Sequence, residues 1–167
     1  MRTDEKTFRD TLVGDVFELI VKKPTTVARD AKISTIIEGM LENRVSRKVY
    51  VIDDGGMLLG MVNTDTILRL IGYRTGVRDT GALSFYRFLR DTLKEDIADL
   101  VTPTRSVTKD HRLVDALEIM IKDHVNDIPV VDAEGRLIGE LVSLELFLKG
   151  RELFKDETNN GTPPGSP

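Results

Sequence analysis

The chain has 167 residues, 40% hydrophobic and 31% charged, with a net charge of −4 and no cysteine. The acidic balance excludes broad nucleic-acid binding, which depends on Lys and Arg neutralising phosphates, and the missing thiols exclude disulfides and thiolate metal sites. No apolar run approaches the roughly 20 residues of a membrane span, and the opening segment has no secretory apolar region, so the chain reads as cytoplasmic, with no membrane insertion.

In chain order, the pattern predicts a leading helix from Thr7 to Ile20, a bend at Pro24 and an extended segment from Thr25 to Ala28. Ile33, Ile36, Ile37, Met40 and Leu41 then recur at helical spacing and predict an amphipathic helix. Two apolar runs around Asp53-Asp54-Gly55-Gly56 predict a tight hairpin ending at Val62, followed by a closing helix from Thr64 to Ile71. The Gly-rich stretch Gly72 to Gly81 reads as a surface crossover.

The same sequence of elements then returns. A helix from Ser84 to Leu100 and an extended segment from Arg105 to Thr108 lead to Leu113, Ala116, Leu117, Met120 and Ile121, again at helical spacing. A second hairpin, Ile128 to Leu141, turns at Asp132-Ala133-Glu134-Gly135, and a helix from Ser143 to Leu148 closes the unit. Gly60 and Gly139 superpose at an offset of 79, the amphipathic helices at 80, and Arg9-Asp10-Thr11-Leu12 matches Arg90-Asp91-Thr92-Leu93 at 81. The slips fall in connections, where insertions leave apolar faces undisturbed. Residues 1–73 and 84–154 are therefore read as two β-α-β-β-α repeats, each with a leading helix, joined by a linker at 74–83 and followed by a disordered tail at 155–167 that has no apolar residue. A repeat of about 60 residues is marginal alone, so an α/β (α+β) fold with the two repeats packed about a pseudo-twofold axis is expected.

Ile128-Pro129-Val130-Val131-Asp132 with Gly135-Arg136-Leu137-Ile138-Gly139, the helix before them and their double occurrence resemble the CBS-domain family, in which two CBS units pair into a Bateman module. The resemblance implies a small sheet flanked by helices in each unit, two symmetric clefts between the units, and a regulatory sensor rather than an enzyme. The ligands it implies are adenosine-type molecules, AMP, ADP, ATP or S-adenosylmethionine, with no required cofactor.

Nucleotide-binding members of that family carry Gly, two apolar residues, Ser or Thr, two residues and then Asp, the Asp accepting both ribose hydroxyls. Here the hydroxyl and Asp positions are Asn63 and Thr66 in the first unit and Val142 and Glu145 in the second, so neither unit keeps the pattern. Asn63, Thr64, Asp65 and Thr66, and Ser143 with Glu145, still offer polar groups; alternatively Thr64 and Ser143 are helix N-caps, with Asp65 and Glu145 as first-turn acids. Arg44, Arg47 and Lys48 form the strongest anion-binding signal, whereas the second unit has Asp127 where a phosphate would need a cation. Adenine would lie against Val27, Tyr50 and Val62 or against Val107, Pro129 and Leu141, residues that serve a core equally well, and Thr26 joins the ligand-binding set. His111 and His124 lack a matching ligand set, so no metal site is expected. The resulting expectation is a ligand-sensing homodimer that controls an unknown protein, with Arg47, Lys48 and Asn63 to Thr66 as the site. Its rivals are an interaction module without ligand and a divalent-cation sensor.

Overall fold

A computed structural model describes residues 8–75 and 82–159. In the first repeat β1 (Thr26–Ala28), α1 (Ile33–Glu42), β2 (Lys48–Ile52), β3 (Leu58–Asn63) and α2 (Thr64–Thr75) follow in order. In the second, α3 (Ala82–Thr92) leads to α4 (Leu113–Asp123), β4 (Asp127–Val131), β5 (Leu137–Val142) and α5 (Ser143–Asn159). β1 pairs parallel with β2, and β2 antiparallel with β3; β4 and β5 form the equivalent hairpin. The fold is thus the expected pair of mixed α/β repeats.

Each hairpin turn is built by one aspartate. Asp53 Oδ1 accepts the N–H groups of Gly55 and Met57, both at 2.9 Å, and Asp132 Oδ1 accepts those of Glu134 at 3.0 Å and Arg136 at 2.8 Å. Gly56 (φ 82°) and Gly135 (φ 89°) supply the left-handed residue such a turn requires. The two tips then meet: Leu58 N–H donates to Gly135 O at 3.1 Å, and Leu137 N–H to Gly56 O at 2.9 Å. Met57 bridges Arg136, its partner at the offset of 79, so the pseudo-twofold axis passes between the tips.

The lead-in segments cross over. Val13, Val16 and Phe17 are buried among Val107, Leu113, Met120, Ile128 and Leu141 of the second repeat, while Ile97 and Leu100 are buried among Val27, Ile33, Ile36, Val49 and Val62 of the first. Each lead-in also satisfies the free amides that begin the other repeat's helix. Ile33 and Ser34 N–H donate to Glu95 O and Leu93 O, both at 3.0 Å, and Leu113 N–H donates to Thr11 O at 2.8 Å. The hairpin glycines exist for the same crossing. A Cβ on Gly60 would stand 2.6 Å from Thr102 O, and one on Gly139 would stand 2.3 Å from the Phe17 ring.

This crossing corrects the leading helices. Residues 8–10 are helical, but Val13–Asp15 is only a 3-10 turn, because Val13 and Gly14 N–H donate outward to His111 O at 2.8 Å and Lys109 O at 3.0 Å instead of along a helix. The second lead-in is helical over α3 and then a 3-10 turn at Ala98–Leu100, its carbonyls spent on α1. The segment Arg105 to Thr108 is not a strand; it contributes one parallel bridge, Val107 to Val130. Both closing helices run past their expected ends, and α5 carries the expected tail residues Lys155 to Asn159 as helix. The rest of that tail and most of the 74–83 linker lie outside the described residues, as do residues 1–7. Among the described residues, no helix is long and apolar enough to cross a membrane.

Candidate functional site

The structure divides the basic cluster predicted to hold phosphate. Arg44 and Arg47 are exposed at the rim of an apolar groove of about 870 Å³ between α1 and α2, lined by Ile37, Met40, Leu68 and Ile71. Lys48, one step along β2, is 7% exposed; it pairs with Asp127 and donates to the Asp127 carbonyl at 3.1 Å. Residues 48 and 127 are equivalent at the offset of 79, so this ion pair lies across the pseudo-twofold axis. The acidic residue that the sequence sets against a phosphate in the second unit is thus the counter-charge of the first unit's lysine.

Around that pair lies a closed polar cluster. Tyr50 is fully buried and donates to Glu140 Oε1 at 2.7 Å, an oxygen that Ser46 Oγ also meets at 2.7 Å. Ser46 Oγ stands 3.3 Å from Asp127 Oδ2, and Asp127 Oδ1 has the Lys48 ammonium as its counter-charge rather than a hydrogen bond of ordinary geometry. Burial raises the Glu140 carboxyl to about 7, partly opposed by the hydrogen bonds from Ser46 and Tyr50. Burial, with the charges of Glu140 and Asp127 beside it, pushes the Tyr50 hydroxyl well above its ordinary range, which keeps it a donor.

At the first hairpin's end, Asn63 is the N-cap of α2: its Oδ1 accepts Thr66 N–H at 2.8 Å and the Thr66 hydroxyl at 2.9 Å. Thr64 therefore begins the helix rather than capping it, and exposed Asp65 pairs with Arg69 one turn on, at 2.7 Å. At the second hairpin's end Glu145 is fully buried. Its Oε2 accepts Val142 N–H at 3.0 Å, and its Oε1 accepts Ile20 N–H at 2.8 Å and Val21 N–H at 3.2 Å. The carboxylate at the ribose position thus fastens the first repeat's lead-in onto the second. Ser143 is half-buried and its N–H donates to Asn126 O at 2.7 Å, while Val142 is buried.

Ile20 and Val21 form one wall of a cavity of about 530 Å³ in the first repeat that also takes in Lys22, Lys23, Pro24, Thr25, Thr26, Glu42, Asn43 and Val45. Thr26 is half-buried there; Val27, Val107, Pro129 and Tyr50 are buried, Val27 and Val107 within the two apolar cores. The structure therefore gathers Thr26 with two lysines absent from the predicted set, and separates Arg47 and Asn63 to Thr66 from that cavity. The buried cluster of Ser46, Asp127 and Glu140 also escapes the pattern reading. Its signals were opposite charges at one repeat position, 48 and 127, and a lone carboxylate in the apolar strand Leu137–Val142.

The profile described as CBS domain matches residues 13–73 and 95–147. The chain belongs to the CBS-domain family. Among curated relatives of this CBS pair, CBS domain-containing protein CBSX2, chloroplastic, of Arabidopsis thaliana is 31% identical over 148 residues, covering 78% of this chain and 61% of the relative. This chain thus spans about three-fifths of that relative's length. A CBS domain-containing protein from Thermotoga maritima superposes with a TM-score of 0.68 at 30% identity, covering 86% of this chain and 96% of the other. The structure of CBSX2 in complex with AMP superposes with a TM-score of 0.66 at 24% identity, over 86% of this chain and 98% of that one. At that identity the likeness to the AMP complex is one of fold.

Proposed function

We propose that this CBS pair is a regulatory module that binds an adenosine-type nucleotide, in a cavity of its first repeat, and controls a partner protein, and that it is not an enzyme. The observation that carries the proposal is the cavity at Thr25 and Thr26, with hydroxyls and the Asn43 amide for a nucleoside and Lys22 and Lys23 for phosphate. CBSX2, a relative by sequence and fold, has been seen with AMP, which supports the ligand class. This reading moves the phosphate from Arg47 and Lys48 to Lys22 and Lys23, because Lys48 already neutralises Asp127. Exposed Leu41 and Leu68 of the first repeat and Ile121 and Phe147 of the second support isologous pairing of two copies through these helix faces.

A thermal-shift panel of AMP, ADP, ATP, S-adenosylmethionine and Mg²⁺ tests the proposal. A nucleotide at 100 times its Kd adds about 2.7 kcal/mol and raises Tm by several degrees. Replacing Lys22 and Lys23 by Ala should weaken the phosphorylated ligands about tenfold or more and spare adenosine. Silence across the nucleotides would contradict it and favour an interaction module without ligand. That second reading has its own support, since Glu145 and the Asn63–Thr66 pair already spend their hydrogen bonds on the protein. Among the described residues no three acidic or His side chains are placed to hold a metal, so the cation-sensor reading draws no support there.

A further inference from the structure

Ser46, Lys48 and Tyr50 of the first repeat and Asp127 and Glu140 of the second are shut in the seam between them, none more than 7% exposed. With both carboxylates ionised, one ammonium faces two negative charges in a site from which water is excluded, a costly arrangement. The Ser46 hydroxyl has one proton, yet it stands within reach of both Glu140 Oε1 and Asp127 Oδ2 and can serve only one of them. Glu140 Oε2 has no hydrogen-bond partner. A single added proton improves all three conditions. Carried on Glu140 Oε1, it donates to Ser46 Oγ, the Ser46 proton turns to Asp127, Lys48 balances Asp127, and Oε2 becomes the oxygen of a neutral acid.

We propose that Glu140 is the proton-carrying residue of a joint between the two CBS repeats, a joint that closes with one proton bound and loosens when that proton leaves. The charged and titratable groups facing Glu140 are Lys48 and Tyr50 from β2 and Asp127 from β4. Its own strand, β5, supplies only Leu137, Ile138, Gly139, Leu141 and Val142, and Glu145 of α5 is turned to backbone amides. The Glu140 carboxyl is raised by burial to about 7 from an ordinary 4.5. The joint's contribution is therefore complete below the ordinary value and is lost as pH rises through neutrality. Tyr50 stays protonated throughout that window. Val45, next to Ser46 in sequence, lines the first-repeat cavity proposed for the nucleotide, so the joint adjoins that site.

The test is denaturant unfolding of the full chain across mildly acidic to mildly alkaline pH, beside hydrogen exchange at Leu58 and Leu137, whose N–H groups bond across the seam. The wild-type midpoint should fall as pH rises, and protection of those two amides, corrected for intrinsic rates, should drop by about tenfold or more. Glu140→Gln, a neutral shape mimic, should flatten both profiles and exceed wild type in stability on the alkaline side. Equal pH profiles for wild type and Glu140→Gln would overturn the joint. Should that variant not fold, carboxyl-carbon NMR of Glu-labelled wild type decides. One Glu carbon titrating near neutrality supports the joint, and all of them titrating in the ordinary range near about 4.3 overturn it.

Discussion

The two repeats share a backbone and differ where they touch. At equivalent positions the first carries Lys48, Tyr50, Met61 and Thr66, and the second carries Asp127, Pro129, Glu140 and Glu145. Glycines, turn aspartates and apolar helix stripes, which the fold needs in both copies, are kept; the seam residues have become complementary instead of alike. A twofold axis brings a position onto its own copy, so a lysine there would meet a lysine. Lys48 opposite Asp127 converts that repulsion into an ion pair, and the asymmetry that looks like one good and one spoiled phosphate site is explained by contact between the two.

The sharpest break in that symmetry should come from the buried pair. Lys48→Met leaves Asp127 without its counter-charge and should cost about 3–5 kcal/mol in denaturant unfolding. The glycines should separate next. Gly139→Ala pushes a methyl into the Phe17 ring, at a cost of about 1–3 kcal/mol, and trimming Phe17 in the same chain should recover part of it. Gly60→Ala meets the Thr102 carbonyl, so trimming the nearby Val101 side chain should recover little. Smallest is the contrast between the hairpin ends. Glu145→Ala strands the Ile20, Val21 and Val142 amides and should cost about 1–3 kcal/mol. Asn63→Ala removes an N-cap from the first repeat alone and should cost about 1 kcal/mol.

Periodicity and repetition made the architecture legible: the apolar stripes at Ile33 to Leu41 and Leu113 to Ile121 both fold as helices, and both Asp-Gly turns close hairpins. What the pattern could not show was where a backbone donor goes. The lead-in at Val13 and Gly14 reads as helical by composition, yet its amides are bound by carbonyls of residues about 95 positions away, a long-range partner that no local period encodes. Site residues suffered from the same limit. Lys48 and Arg47 are neighbours in sequence, but Lys48 opens the buried strand Lys48–Ile52 while Arg47, one residue before it, stays in solvent. Lys22 and Lys23 stand at the bend before Pro24, and only tertiary packing curls that segment around Thr25 and Thr26 into a cavity wall.

Exchanging the two charges tests most directly whether the seam joins equivalent positions. Lys48→Asp and Asp127→Lys should each destabilise the protein by about 3 kcal/mol or more, since each sets like charges together in a buried site. Combined in one chain, they restore an ion pair across the same axis, and at least about 2 kcal/mol of the summed loss should return. A double variant as unstable as the sum of its parts would contradict the pairing of Lys48 with Asp127 on which the seam is built.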